Sequence, residues 1–524
     1  MKAPAVSNKA RTASVVGVVT VGVAIAGYLR EAILAAHFGV TATMDAYFAA
    51  IFIPNILYLV LIAGTLSPVF IPILLQENPE ENPEKASATF SVITNFALLA
   101  LIAIVSCGVL GARLWLPVLF SGFSSPTADL AVRLIYIIFP ALPFLAVAGI
   151  LTALLNGFHR FWLAAFAPAL SSLSVIAAAI FFRGDRAIFA VAIATALGFL
   201  LQSLVLLPAA LSLGIRYRPI LEFHHPAIRK LLKLGVPLFL YLVVANASAV
   251  LERSLASRIS AGAVSTLTYA FRLFTVPANF LAAPLAIVAY PGFAREAARD
   301  QRGELASQTS RLFRLVVFLF LPVTVWTILN ANIVTRVLYE HGKFSETSSG
   351  ITAHLLAIYS IGIVPNAIAI VLLRCFYAIE DTVTPLLTEL IVLAYFVITA
   401  PYFTQRFGIG GLVAARTVTF FLVAITLLFV LRRRYALLKF DLETVRFFLR
   451  IVAATCAMAL LCWAALHLLQ PLFNAGHIVV RLAIVVAVMV LGGGVFLAAA
   501  HVLGLSEAKQ IMNAGRGWFA REQA

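Results

Sequence analysis

The chain has 524 residues, 62% of them hydrophobic and only 11% charged, with a mean hydropathy of +1.02. A soluble domain carries about a quarter charged residues, so a soluble enzyme or binding module is excluded and a polytopic membrane protein remains. A formal net charge of +16 would point to nucleic acid in a soluble protein. Here Lys and Arg lie mostly in short loops, where topology and anionic headgroups account for them.

Apolar runs of about 20 residues cross a bilayer as helices, because backbone groups must pair internally there. The runs are continuous rather than alternating, so they predict helices, and fourteen fall between residues 13 and 504. Lys2, Lys9 and Arg11 precede the first run without a small-residue cleavage site after it, which predicts a first membrane helix rather than a removed signal. The stretch 27–72 recurs at 250–293: LREAILAAHFG answers to LERSLASRISAG, AAIFIPNIL to FRLFTVPANFL, and VFIPIL to VAYPGF. The copies lie six runs apart, an even number, so they point the same way and form a parallel repeat. The expected fold is an all-α polytopic membrane protein of 14 transmembrane helices. It comprises two pseudo-symmetric six-helix lobes, 13–213 and 233–431, facing a shared cavity, and two C-terminal helices in 447–504. Pro54, Pro68 and Pro72 in the second run match Pro277, Pro284 and Pro291 in the eighth, and predict bends.

Basic residues gather after the sixth run (Arg216, Arg218, Arg229, Lys230), the eighth (Arg295, Arg299, Arg302, Arg311) and the twelfth (Arg432, Arg433, Arg434, Lys439, Arg446). Those loops and both termini are therefore expected in the cytoplasm. The acidic loop 76–85, QENPEENPEK, falls on the same side against the trend. Cys107, Cys375, Cys456 and Cys462 lie in apolar runs with no CxxC, so neither a disulfide framework nor a metal site is expected.

Ionisable groups at membrane depth usually mark a transport path. Arg30 and Arg272 lie deep in the first hairpin of each lobe, so both can face one cavity. Two guanidinium forks there suit a phosphate or pyrophosphate. Glu31 adjoins Arg30, but adjacent helix positions point apart, so simple neutralisation is not expected. Asp45 opens the second run, either as a helix-start carboxylate or as a cavity group. Glu252 and Glu389 fit either a cation site or ion pairs with Arg253 and Arg416. Arg258, at the end of the seventh run, reads as snorkelling to the interface. GIGG at 408–411 lacks the Rossmann and P-loop spacings and reads as a turn. No catalytic constellation appears, and the short loops hold no acidic metal or nucleotide motif. Without a Walker lysine, transport would draw on an ion gradient, the membrane potential or substrate flux.

The hairpin LREAILAAHFG–MDAYFAAIFIPN–SPVFIPIL resembles the MurJ/MviN family, the lipid II flippases of the MOP exporter superfamily. So do LERSLASRISAGAVSTLTYAFRLFTVP, NGFHRFWLAAFAP at 156–168, LYEHGKF at 338–344 and CFYAIEDTVTP at 375–385. The resemblance covers essentially the whole chain. It implies a flippase, not an enzyme, that moves an undecaprenyl-pyrophosphate-linked peptidoglycan precursor across the bacterial inner membrane by alternating access. The last two helices would form a groove for the lipid tail. Substrate binding is then expected at Arg30, Arg272, Asp45 and Arg253, with Glu31, Glu252 and Glu389 as cation or ion-pair residues. No metal or cofactor is implied, only coupling to the membrane potential or a monovalent cation. Membrane lipids and the cell-wall synthesis machinery are the implied partners, and nucleic acid is not. Ala24, Tyr58, Leu59 and Thr275 stand where well-studied members carry charge, and LLTELIVLAYFVIT lacks the polar residues of some members' sodium site. These departures leave room for a flippase of another lipid-linked oligosaccharide, such as an exopolysaccharide or O-antigen unit. A cation-coupled multidrug antiporter of the same superfamily would favour acidic and aromatic cavity residues instead.

Overall fold

The computed structural model describes residues 5–77, 81–184, 186–299, 301–438 and 442–510, and among them every regular element is helical. Twelve of these helices are long and apolar enough to cross a membrane. A thirteenth span arises if Glu346–Ser360 and Ile363–Ala378, bent by 48° where they meet, act as one. The difference from the fourteen expected lies in Val383–Arg433, a single assigned helix of 51 residues. Gly408 interrupts it with φ 58° and ψ −144°, a conformation open to glycine and strained for other residues. The Arg416 guanidinium lies 5.8 Å from the Phe396 ring, whereas an unbroken helix would set those residues about 30 Å apart. The chain therefore reverses at the GIGG turn, and this stretch is a hairpin.

The chain packs as two units. One runs to Ser265 and includes His341–Phe344; the other comprises Thr266–Glu340 and the chain from Ser345 onward. Helix Pro226–Ser257, expected to open the second lobe, belongs to the first unit. Its side chains explain why. Leu231, Val236 and Phe239 line an apolar cavity of about 250 Å³ with Leu61, Ile62 and Phe96, and Lys230 donates to Gln76. The same unit explains the acidic loop: Glu77 pairs with Lys85 at 2.9 Å and Glu84 with Arg218 at 3.3 Å. One of its carboxylates thus pairs within the loop, and another with the basic loop after the sixth run. Residues 78–80 of that loop, and Lys2 and Lys439, lie outside the described residues.

Both repeated hairpins break at their prolines. Ala42–Leu57, with Pro54 inside, gives way to a π-helix, Tyr58–Leu66, and then Ser67–Leu75. Ala263–Pro277 gives way to a π-helix, Ala278–Ala282, and then Ala283–Ala298. Proline lacks the N–H that the preceding turn needs, and a wider turn takes up the mismatch. The first unit buries Met44, Tyr47, Ala49 and Ala50 beneath its hairpin, with the Tyr47 and Thr195 hydroxyls bonded at 3.0 Å. In the second unit Phe274 stacks on Tyr359 and Phe420, at 5.5 and 5.1 Å between ring centres.

Asp381 ties down the loop after Ala378. Its carboxylate accepts the Val383 and Thr384 amides at 3.1 and 2.9 Å, the Thr384 hydroxyl at 2.6 Å and the Tyr435 hydroxyl at 2.7 Å. Partial burial opposes the charge, but these bonds and the Arg434 charge outweigh it and hold the carboxyl below its ordinary value. A depressed pKa adds stability that is complete above the unfolded-state value and is lost as pH falls through the folded-state one. Asp381→Asn should cost about 1 kcal/mol and lower the melting temperature in detergent. The gap between variant and parent should narrow as the pH falls below the ordinary aspartate value.

Candidate functional site

Arg30 lies in the last third of Ala5–Phe38, in the first unit. Its Nη2 is 2.7 Å from Glu31 Oε1, with the two side chains 19% and 3% exposed. This corrects the expectation that the neighbours stay apart. Their Cβ atoms diverge, but an arginine side chain is long enough to curl back. At low local dielectric an adjacent carboxylate is strongly attractive. A guanidinium has five N–H donors, so the pair offsets the charge of Arg30 without consuming its donor set.

Asp45 is buried near the start of Ala42–Leu57, whose first turn is capped instead by Thr41. Asp45 Oδ2 accepts the Gly262 amide at 2.6 Å and Oδ1 the Ser265 amide at 2.7 Å. It is a helix-start carboxylate, then, but for the helix that begins at Ala263 rather than for its own. The amides left open at a helix start are a natural seat for a carboxylate.

Backbone contacts surround this anchor. The Lys343 amide donates to the Ala36 carbonyl at 2.8 Å. Gly342, at φ +57°, faces that carbonyl so closely that a Cβ would overlap it. A Cβ on Gly39, at φ +64°, would lie 2.6 Å from the Lys343 carbonyl oxygen. Arg258 donates from Nε to Ser121 Oγ at 2.9 Å. The loop after the ninth run thus meets the end of the first helix backbone to backbone, and a side-chain bond joins the end of the seventh run to the loop after the third. The sequence signal for this was the glycine in LYEHGKF and in HFG.

Glu252 and Arg253 are both buried late in Pro226–Ser257. The Arg253 guanidinium lies 3.9 Å over the Phe52 ring, a cation–π contact, and its Nη1 donates to the Ala249 carbonyl at 3.2 Å. Arg30, Asp45, Glu252 and Arg253 therefore belong to one packed unit. In the second unit Arg272 is exposed, while its neighbours Phe271 and Phe274 pack on Tyr359. Arg416 sits between the Phe396 and Phe420 rings at 5.8 and 5.2 Å and faces Glu389 electrostatically. Among the described residues no three His, Cys, Asp or Glu gather closely enough to hold a metal. An apolar cavity of about 770 Å³ lies among Phe280, Phe318, Trp326, Met458, Met489 and Phe496. The last three belong to the two C-terminal helices.

Residues 34–484 match the family model described as lipid II flippase MurJ. A lipid II flippase MurJ of Burkholderia cenocepacia is 28% identical over 499 residues, 92% of this chain and 95% of that protein. A probable lipid II flippase MurJ of Rhizobium tropici is 29% identical over 438 residues, 80% of each. A solved lipid II flippase MurJ in an inward closed conformation superposes with a TM-score of 0.76 at 23% identity, over 92% of this chain and 98% of that one. An inward-facing multidrug resistance MATE transporter of the MOP superfamily gives 0.64 at 16%, over 80% and 98%. At these identities the two structures speak for the fold alone.

Asp45→Asn presents only one good acceptor to two buried amides. It is expected to cost about 1–3 kcal/mol, read as a lower melting temperature in detergent. Gly342→Ala drives a methyl into the Ala36 carbonyl at a backbone angle alanine avoids. The expected result is faster thiol labelling of a cysteine placed at Val40, in an otherwise folded protein.

Proposed function

The chain belongs to the lipid II flippase MurJ family, and from that premise we propose that it moves lipid II across the bacterial cytoplasmic membrane by alternating access. The match over residues 34–484 carries the reading. It is supported by the MurJ relatives that align over nearly their whole length and by a chain built of membrane-length apolar helices. This is a transporter's reading: the work is to carry a charged headgroup across a layer that rejects it, with no bond made or broken.

Arg30 and Arg272 are assigned to the pyrophosphate, whose oxygens match a planar guanidinium fork. Glu31 keeps Arg30 from standing as a lone charge between transport events. Asp45 and Arg253 are assigned supporting roles, one holding the Gly262–Ser265 turn and the other bracing the Phe52 face, so both set hairpin geometry. The lipid tail is assigned to the apolar cavity against the two C-terminal helices. The proline and π-helix breaks give both hairpins a place to bend without orphaning backbone groups. Opening on the outer side then requires parting the glycine-lined loop contacts. The membrane potential or a monovalent cation gradient supplies the drive; one elementary charge crossing 100 mV is worth about 2.3 kcal/mol. The basic loops and both termini are placed in the cytoplasm, where the precursor is made, and cell-wall synthesis enzymes are the natural partners. The uncharged Ala24, Tyr58 and Leu59 favour one second reading, a flippase for another lipid-linked oligosaccharide.

Complementation of cells depleted of their own lipid II flippase tests both levels. The parent chain is expected to restore growth, and Arg30→Ala or Arg272→Ala, expressed at normal level, is expected to fail. No rescue by the parent would overturn lipid II as the cargo. Full rescue by the variants would overturn the arginine assignment alone.

A further inference from the structure

Three arginines converge on a small cavity in the second unit that the transport reading leaves unused. The cavity, about 240 Å³, is lined by Arg314, by Glu443, Arg446 and Arg450, and by Gly504–Glu507. Arg314 comes from the first third of Arg302–Tyr339, Arg446 and Arg450 from the first turns of Leu442–Ala475, and Gly504–Glu507 follow the end of Ile478–Val502. Arg446 and Arg450 are four residues apart and share a helix face.

The internal acceptors do not satisfy these donors. Glu507 Oε1 is 3.8 Å from Arg314 Nε, beyond hydrogen-bond reach. Its Oε2 already accepts from the Ser506 hydroxyl at 3.1 Å. Arg314 Nε is buried with no acceptor. Among the described residues neither Arg446 nor Arg450 has a hydrogen-bond or ion-pair partner. Three guanidinium groups therefore face one cavity with donors to spare, and a buried donor without an acceptor is uncommon enough to need an explanation. A tetrahedral oxyanion supplies several acceptors at once and fits the guanidinium fork.

The surroundings say what carries that anion. Leu442, Val445 and Leu449, on the same turns as Arg446 and Arg450, are 66%, 52% and 67% exposed, and Val502 at the end of its helix is 84% exposed. Apolar side chains this open beside arginines match the boundary where headgroups meet acyl chains. The cavity lies at the start of Leu442–Ala475 and past the end of Ile478–Val502, chain ends that the Lys/Arg distribution assigns to the cytoplasm. We propose that Arg314, Arg446 and Arg450 form a binding site for the phosphodiester of an anionic phospholipid, held at the foot of the helices Arg302–Tyr339, Leu442–Ala475 and Ile478–Val502. Such a lipid clamps the C-terminal pair against the rest of its unit. It acts independently of which glycan the protein carries.

The test uses the full chain in phosphatidylcholine nanodiscs with and without phosphatidylglycerol, with retained lipid read by native mass spectrometry and melting read by fluorescence. The parent should retain phosphatidylglycerol and melt higher with it. Arg446→Gln with Arg450→Gln, both at exposed positions, should weaken that retention on the order of tenfold, the loss of one or two charge-assisted bonds, and remove the melting shift. Arg432→Gln with Arg433→Gln removes the same charge elsewhere and should leave both intact. Unchanged retention in the first pair, or equal loss in the second, would overturn the site. Inorganic phosphate raising the melting temperature in pure phosphatidylcholine as much as the lipid does would overturn the lipid as its source.

Discussion

An ionised side chain below the headgroup region survives only where the protein supplies what water would have given it. That constraint orders the structure around its charges. Glu31 reaches Arg30, and two backbone amides reach Asp45. Arg253 lies on the Phe52 ring, and Arg416 sits between two rings and faces Glu389. Each of these charges thus has a partner within its own unit.

Backbone accounting imposes the second constraint. Bends in lipid are costly unless every N–H and C=O finds a partner. The two hairpins meet this with the same device, a proline followed by a π-helical turn, at matched positions. Where chain must meet chain without a side chain between, glycine appears, as at Gly39 and Gly342. Asp45 links these features, since it holds the turn at Gly262–Ser265 from which the second hairpin starts. Asp45 thus anchors the first turn of Ala263–Pro277, the helix that carries Arg272.

Much of this was legible from the residues alone. Continuous apolar runs gave the helices, and the doubled FIPN and TVPAN segments gave both bends. GIGG, read as a turn between the eleventh and twelfth runs, marks the reversal at Gly408. What escaped depends on contacts that spacing does not encode. The Arg30–Glu31 pair needed side-chain reach, where position on the helix suggested divergence. The grouping of Pro226–Ser257 with the first unit turned on Lys230, Phe239 and Arg253 finding partners there, while the repeat pointed to the second lobe. For Asp45 the sequence left open a carboxylate at the start of its own helix or a cavity group, and the fold instead sets it at the start of Ala263–Pro277. The loop glycines looked like ordinary turn residues until their close backbone neighbours were visible.

The central claim is that this chain carries a pyrophosphate-linked lipid from one leaflet to the other. The most direct measurement is leaflet exchange by the purified chain in proteoliposomes holding lipid II with a fluorescent headgroup, scored by how much becomes accessible to a reagent that cannot cross the membrane. The account predicts accessibility rising well beyond that of protein-free vesicles, with a smaller rise when Arg30 or Arg272 is replaced by alanine. Exchange no faster than in empty vesicles, under a membrane potential and with sodium or protons available, would contradict it.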